Sequence, residues 1–377
     1  MHRFSFLIFI LLLYLIFSES VYMGEKQIIG DEKDYGLETL ELYKQSILYK
    51  QNEIVARPDK HSMNVQHNCI NHHESCLWWA FTGECESNPD FMSLNCGPSC
   101  RSCHMIDIRN RCPLDPNAKN AIEANDLNKL FLKIADIRGP FKQYEPVVHS
   151  HPSNAMNLEN IQYGEDAVTD GPWIVSFESF HTPKEADRMI QWGNVLGYER
   201  SENVRDELPD GTLDEQTDDT RTSYNTWCTD DCETDPYVQN VIHRMVSVTG
   251  IDTINYESMQ LLKYTKGQYY RIHHDFIDAH VERQPGPRIL TFFLYLNDVK
   301  EGGSTNFPLL KENSGGLKFS PKKGRALLWP SVLNINPNEI DLRTEHEAME
   351  VKEGEKYGAN IWIHLRDFQT PNGNGCI

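Results

Sequence analysis

Positive charge is what this 377-residue chain has least of: 36 Lys and Arg stand against 55 Asp and Glu, a formal net charge of −19 at pH 7. Phosphate backbones are held by basic patches that release counterions, so nucleic acid is excluded as a general partner. The acid excess serves first to keep a chain soluble, and attraction of basic peptides is its second use. Long apolar runs are also missing, since none reaches the roughly 20 residues that cross a bilayer as a helix. The stretch Phe4 to Phe17 has 14 residues, follows Arg3 and precedes Ser18 and Ser20. That pattern predicts a signal peptide over 1–20, with membrane attachment only if it is retained as an anchor. No Asn-x-Ser/Thr sequon occurs, so N-linked glycosylation is not expected. The ending Asn374-Gly375-Cys376-Ile377 is no KDEL-type retention signal, which leaves the endoplasmic reticulum lumen and the exterior both open.

Cysteine is plentiful. Ten of them behind an export signal imply an oxidising compartment and disulfides rather than zinc. Six cluster as Cys69, Cys76, Cys85, Cys96, Cys100 and Cys103, with gaps of 6, 8, 10, 3 and 2 residues. Such a module is too small to bury enough surface on its own, so its cross-links must constrain the unfolded chain; sequence alone leaves 15 pairings open. Around it the chain divides into a polar N-terminal segment (21–68), the cysteine module (69–103), a linker with some N-terminal packing (104–170), a large domain (171–368) and a tail (369–377). The first of these holds an apolar-periodic stretch, Leu37, Leu40, Tyr43, Ile47 and Leu48, that predicts a short helix.

The large domain reads as α+β. Trp173 to Phe177 is an apolar strand, after which Thr182, Pro183 and Glu185 make a capped helix start and Gly197 a stop. Asp235-Pro236 opens a second helix with Val238, Val241, Ile242, Met245 and Val248 at 3.6-residue spacing, ending at Gly250. Short strands broken by Gly and Pro follow: 259–264, 269–273, 288–297, 324–329, 345–351 and 358–365. Two helices and then a run of strands predict a jelly roll with flanking helices.

At the end of one such strand, His273-His274-Asp275 places His273 and Asp275 on one face, because side chains alternate along a strand. Two histidines and a carboxylate can hold a metal while leaving three positions open. Alone the pair selects nothing, since His72-x-Glu74 and His280-x-Glu282 share the spacing; those two are read as solvated surface. His346 supplies the missing histidine at the start of a later strand, and Lys356 follows ten residues on. A buried lysine there suits the far carboxylate of a metal-chelating 2-oxo acid.

The stretch from about Trp173 to Arg366 resembles the prolyl 4-hydroxylase catalytic domain of the Fe(II)/2-oxoglutarate dioxygenases. The resemblance runs in order through Arg221-Thr222-Ser223, Leu262-Lys263-Tyr264, Gly267 to Tyr270, His273-x-Asp275, Arg288 to Asp298, Glu301 to Pro308, Pro321 to Gly324, Glu345 to Ala348 and Gly354 to Ile363. It implies a double-stranded β-helix, Fe(II), 2-oxoglutarate and O2 as cosubstrates, L-ascorbate as reductant and a proline-containing polypeptide as substrate. It further implies that His273, Asp275 and His346 hold iron and that Lys356 anchors the 2-oxoglutarate carboxylate. Tyr264 and Thr291 would add contacts to 2-oxoglutarate, and Arg221 and Trp362 would wall the peptide site. No side chain beyond the metal centre need be catalytic. The chain departs from many members in having Glu347-Ala348-Met349-Glu350 after the distal histidine, which puts the geometry near iron in question. Residues 202–219 carry eight acidic residues and one Arg where the family has a substrate-covering loop.

The cysteine cluster resembles the ShKT module, and that resemblance implies Cys69–Cys103, Cys76–Cys96 and Cys85–Cys100. Cys228 and Cys232 are placed to bridge a short loop, which leaves Cys112 and Cys376 to pair or remain free. Two other readings stay open: hydroxylation of another residue such as lysine, and a secreted binding protein acting through the ShKT module with an inactive dioxygenase domain. A zinc hydrolase fits less well, because no general base is assigned beside the metal.

Overall fold

The computed structural model describes residues 37–57, 63–156, 158–207 and 213–377; the signal peptide expected over 1–20 lies outside them. The chain forms two compact units, one ending at Pro113 and the other running from Leu114 through Asp206 and from Leu213 to Ile377.

In the first unit the apolar-periodic stretch is helix α1 (Leu37–Tyr49), continued by a wider π-turn at Lys50–Val55. Short helices follow, among them α2 (Cys76–Phe81) and α3 (Pro89–Asn95). The buried apolar groups are few: Ile54, Val65 and Ile106 gather at Cys69 and Cys103, and Met92 sits with Cys76 and Cys96. Disulfides do the rest, bonded as Cys69–Cys103, Cys76–Cys96 and Cys85–Cys100. In a body this small, cross-links replace the missing core.

The second unit begins well before Pro172. Residues read as linker supply helix α4 (Asp126–Ala135) and strands β1 (Pro146–His151) and β2 (Tyr163–Thr169). Leu127, Phe131 and Ile134 recur at helical spacing and are buried, with Phe131 stacked on Trp173 at 5.5 Å. Six of its ten residues are apolar, a periodicity obscured by the scattered Pro and Asn on either side.

Strands β3 (Ile174–Phe177), β4 (Glu199–Arg200), β5 (Tyr224–Cys228), β6 (Met259–Tyr264), β8 (Arg288–Tyr295), β11 (Ala326–Pro330) and β13 (Lys356–His364) join the first two in a nine-stranded sheet ordered β2-β1-β3-β11-β8-β13-β6-β5-β4. A four-stranded sheet, β10-β9-β12-β7, is built from β7 (Tyr270–His273), β9 (Thr305–Phe307), β10 (Leu317–Phe319) and β12 (His346–Ala348). Helix α5 (Pro183–Leu196) starts with the capping box of Thr182 and Glu185, and α6 (Pro236–Thr249) starts with the Asp235 carboxylate accepting from the Tyr237 N–H. Each stops at a glycine with positive φ, Gly197 and Gly250, a conformation that costs other residues more. Cys228 and Cys232 are bonded to each other just ahead of α6, and no cysteine is free among the described residues.

Strand β8 is buried along nearly its whole length, and alternation sorts its side chains. Leu290, Phe292 and Leu294 join Val238, Val241 and Met245 of α6 in the larger core, together with Ala359, Ile361 and Ile363 of β13. Phe293 and Tyr295 turn the other way and meet Phe307, Phe319 and Trp329 in a second core that joins the two sheets. This is a jelly roll with helices on one face, and the side chains of opposite parity are free to build a site between the sheets.

Candidate metal centre

His273 ends β7 and His346 starts β12, directly opposite each other in the four-stranded sheet. Their rings lie 4.3 Å apart between centres. Asp275 follows two residues after His273, with one carboxylate oxygen 3.6 Å from Nε2 of His346. The three candidate ligand atoms all lie within 4.8 Å of one another, a group that could hold one metal ion.

The unused nitrogens are already engaged. Nδ1 of His273 is 2.8 Å from the Arg271 carbonyl and Nδ1 of His346 is 3.0 Å from the Thr344 carbonyl, so each Nδ1 carries the proton and each Nε2 presents a lone pair. Burial pushes the His273 pKa well below its ordinary value, and the neighbouring His346 adds to the effect. Burial pushes the Asp275 carboxyl up, but His346, His273 and the Thr291 hydroxyl outweigh it and leave the group at about 2. Neutral imidazoles and an ionised carboxylate are the forms that bind a cation. His274 points away: its Nδ1 accepts from the Phe276 N–H, and its Nε2 lies 2.9 Å from the Thr344 hydroxyl.

Thr291 donates to Asp275 Oδ2 at 2.7 Å, so its hydroxyl orients the carboxylate. Lys356 opens β13 opposite Tyr264. Its side chain has no exposed surface, and its Nζ lies 5.1, 5.0 and 5.7 Å from the ring centres of Tyr264, Phe293 and Tyr295. Among the described residues no hydrogen-bond partner reaches that Nζ, and burial pushes its pKa down to about 7. Phe307 and Trp329 of the same inter-sheet core flank His346 at 5.6 and 4.9 Å. Lys356 and His346 thus contact aromatic residues of the same inter-sheet core, and a dianion chelating a metal at one end and needing a cation at the other suits these residue types.

Arg221 donates to the Glu202 carbonyl and to Gln260 Oε1, at 2.8 and 3.0 Å, and its guanidinium lies over Tyr270. Tyr270 in turn stacks on His273 at 3.5 Å. Trp362 stands opposite Thr291 in the sheet, and its indole N–H has no partner among the described residues.

One group had no sequence-based assignment. Arg288 lies 3.9 Å over the Trp362 ring and donates to both oxygens of Glu257, whose Oε1 also meets His364 Nε2 at 2.8 Å. Burial pushes the Glu257 carboxyl up, but Arg288 and His364 hold it at about 2. Arg288 and His364 are partners across β8 and β13, a pairing that strand alternation could have exposed. His280, read above as solvated, is buried 5.4 Å from the His364 ring, because the 3-10 turn Asp278–Glu282 folds it inward. Of the acidic stretch 202–219, residues 203–207 and 213–216 pair as a two-stranded ribbon.

Known proteins share this arrangement in sequence. Residues 259–364 match the 2OG-Fe(II) oxygenase superfamily and residues 68–103 match the ShK domain-like family. The chain is similar to prolyl 4-hydroxylase 2 of Arabidopsis thaliana, 32% identical over 248 residues, covering 60% of this chain and 78% of that protein. It is 30% identical over 230 residues to probable prolyl 4-hydroxylase 7 of the same plant, covering 55% and 67%. Among solved structures it aligns with a viral collagen prolyl hydroxylase from Paramecium bursaria Chlorella virus-1 bound to 2-oxoglutarate, at 27% identity and a TM-score of 0.40, covering 52% of this chain and 98% of that one.

Proposed function

The chain belongs to the prolyl 4-hydroxylase family of 2-oxoglutarate- and Fe(II)-dependent oxygenases, and from that premise we propose that it hydroxylates C4 of proline in polypeptides of the secretory pathway. The observation that carries this is the buried ammonium of Lys356, which has no hydrogen-bond partner among the described residues and borders the same inter-sheet core as His346 of the His273, Asp275 and His346 group.

In this reading Nε2 of His273, Nε2 of His346 and a carboxylate oxygen of Asp275 bind the iron. Backbone carbonyls and Thr291 fix their orientation, as supporting contacts do at metal sites generally. Lys356 binds the far carboxylate of 2-oxoglutarate, replacing lost water with a charge-assisted contact, and Tyr264 closes over that end. When bound, iron and 2-oxoglutarate supply the activation of O2, with release of succinate and CO2. The chain's own residues position the reactants and exclude water: Trp329 and Phe307 cover His346. Arg221 and Trp362 wall the peptide side, with Trp362 held under Arg288 by the Glu257 and His364 contacts. L-Ascorbate is the reductant that keeps the iron ferrous. An oxidising compartment suits the disulfides, and the endoplasmic reticulum lumen or the exterior is the proposed location.

The test is incubation with Fe(II), 2-oxoglutarate, ascorbate and proline-rich peptides, followed by mass spectrometry of the product. Succinate release with one oxygen added to proline is expected. Oxygen on lysine instead overturns the substrate assignment, and a folded His346→Ala variant that still binds Fe(II) overturns the site.

A further inference from the structure

The cysteine module presents aromatic rings to solvent. Trp78 and Phe81 are 52% and 41% exposed, and Phe91 is 42% exposed. Helix α2 turns Cys76 and Leu77 inward and tethers them through the Cys76–Cys96 bond, which leaves Trp78 and Phe81, three residues apart, as neighbours on the outer side. Their ring centres are 5.8 Å apart. Beside them, Trp79 stacks on His73 at 4.5 Å and meets Phe91 edge-on at 5.8 Å. The module's stability rests on its cross-links, and of these rings Trp79 packs against its small core while Trp78, Phe81 and Phe91 stay exposed.

Within the module's own sequence, charge among the rings is acidic, with Arg101 just beyond Cys100 and Lys44 on the adjoining helix α1 as the nearby cations. From Cys69 to Cys100 the chain has no Lys or Arg, while Glu74, Glu84, Glu86 and Asp90 fall among the aromatic residues. Glu74, Glu86 and Asp90 are exposed. Exposed aromatic planes bind proline rings of an extended polyproline II chain, which is preformed and loses little entropy on docking. An acidic surround selects basic residues in that chain and repels acidic ones.

We propose that the aromatic face of Trp78, Phe81 and Phe91 binds a proline-rich, basic segment of the polypeptide substrate, remote from the proline being hydroxylated. The proposal rests on the prolyl hydroxylase reading above. One chain carrying two binding sites makes the second engagement intramolecular for a long substrate and gives no advantage to a short one.

The experiment uses the full chain and its Trp78→Ala/Phe81→Ala variant. Substrates are a long polypeptide of repeated Pro-Pro-Lys, its shortest active fragment, and a long Pro-Pro-Glu counterpart. Both substituted residues are half-exposed, so the fold is retained; absence of free thiols in the variant reports this for the cysteine module, and turnover of the short fragment reports it for the catalytic unit. In the variant, KM for the long basic chain is expected to rise about tenfold, with kcat unchanged and with the short fragment processed as before. The long acidic chain should show no length advantage in either protein. An unchanged KM for the long basic chain overturns the proposal while short-fragment turnover leaves the catalytic reading standing; no turnover of any proline substrate by the parent chain removes the catalytic reading itself. An equal length advantage for the acidic chain removes the charge selection. A parent chain that sediments as a dimer, with the variant monomeric, assigns the face to a second copy instead.

Discussion

Strand β13 buries a charged or titratable side chain at each end, and the surroundings of the two ends differ. At His364 the groups saturate one another: Glu257 accepts from Arg288 and meets His364 Nε2, while His364 Nδ1 meets the Gly286 carbonyl at 2.8 Å. At Lys356, eight residues earlier in the strand, a cation equally removed from water has three aromatic rings near it and, among the described residues, no hydrogen-bond acceptor. A buried charge with no partner raises the free energy of the folded state. The saturated end is scaffold; the unsaturated end is a binding site that stores its affinity as instability.

Four substitutions or titrations can break or sharpen that contrast. The largest effect belongs to the saturated end, where Glu257→Ala strands Arg288 and should cost about 3–5 kcal/mol of stability in urea unfolding. A loss below about 1 kcal/mol would put Glu257 outside the scaffold. At the other end Lys356→Met should act in the opposite sense on stability. The ligand-free variant gains about 1–4 kcal/mol, while KM for 2-oxoglutarate rises at least about 30-fold, the cost of removing one partner from a buried charged contact. A variant destabilised as well as inactive would mean that the ammonium already has a partner.

Asp275 stands between these extremes, its charge balanced by the two histidines and by Thr291. Thr291→Val removes one hydrogen bond and should weaken Fe(II) binding about 10- to 100-fold, read by titration of the apoprotein, with little change in unfolding. The smallest effect is a pH dependence. Lys356 is charged below about 7 and loses its proton above it, so KM for 2-oxoglutarate should climb by up to about tenfold per pH unit above that point. Binding there takes up a proton, which calorimetry in buffers of different ionisation enthalpy detects. The unfolded chain keeps the ordinary lysine value near 10.4 and so binds more protons between about 7 and 10.4. Stability of the ligand-free protein therefore rises with pH through that window, and the burial penalty is fully present below it.

Much of the architecture was legible beforehand. Capping boxes and glycine stops are local chemistry, and α5 and α6 lie where Thr182, Asp235, Gly197 and Gly250 put them. The apolar run of β8 is long because both its faces are covered. What was not legible depends on contacts across the sheet. Glu257, Arg288 and His364 are separated by 31 and 76 residues in the chain; the pairing of β8 with β13 sets Arg288 opposite His364, and the bridge of Tyr256 to Ile363 brings in Glu257. Thr291 adds a contact that the sequence did not expose: its hydroxyl donates to Asp275, beside the contact to 2-oxoglutarate that the family resemblance implied. Helix α4 and strands β1 and β2 lie in the stretch read as linker with some N-terminal packing, because scattered Pro and Asn break up their pattern and their burial comes from Trp173 and neighbouring strands.

The alternation along β13 works like a reading frame. Ala359, Ile361 and Ile363 belong to the helix side, and Lys356 and Trp362 to the opposite parity. Inserting or deleting one residue within 356–364 would exchange the two sets, burying the ammonium among the helices and turning isoleucines toward the metal. The stretch before it is held as well: Val351 is buried in the second core, Glu353 stands opposite Glu301, and the Glu355 carbonyl accepts from the Asn297 side chain. The interval from His346 to Lys356 is thus fixed by its own contacts, and the nine residues that follow must be kept in phase.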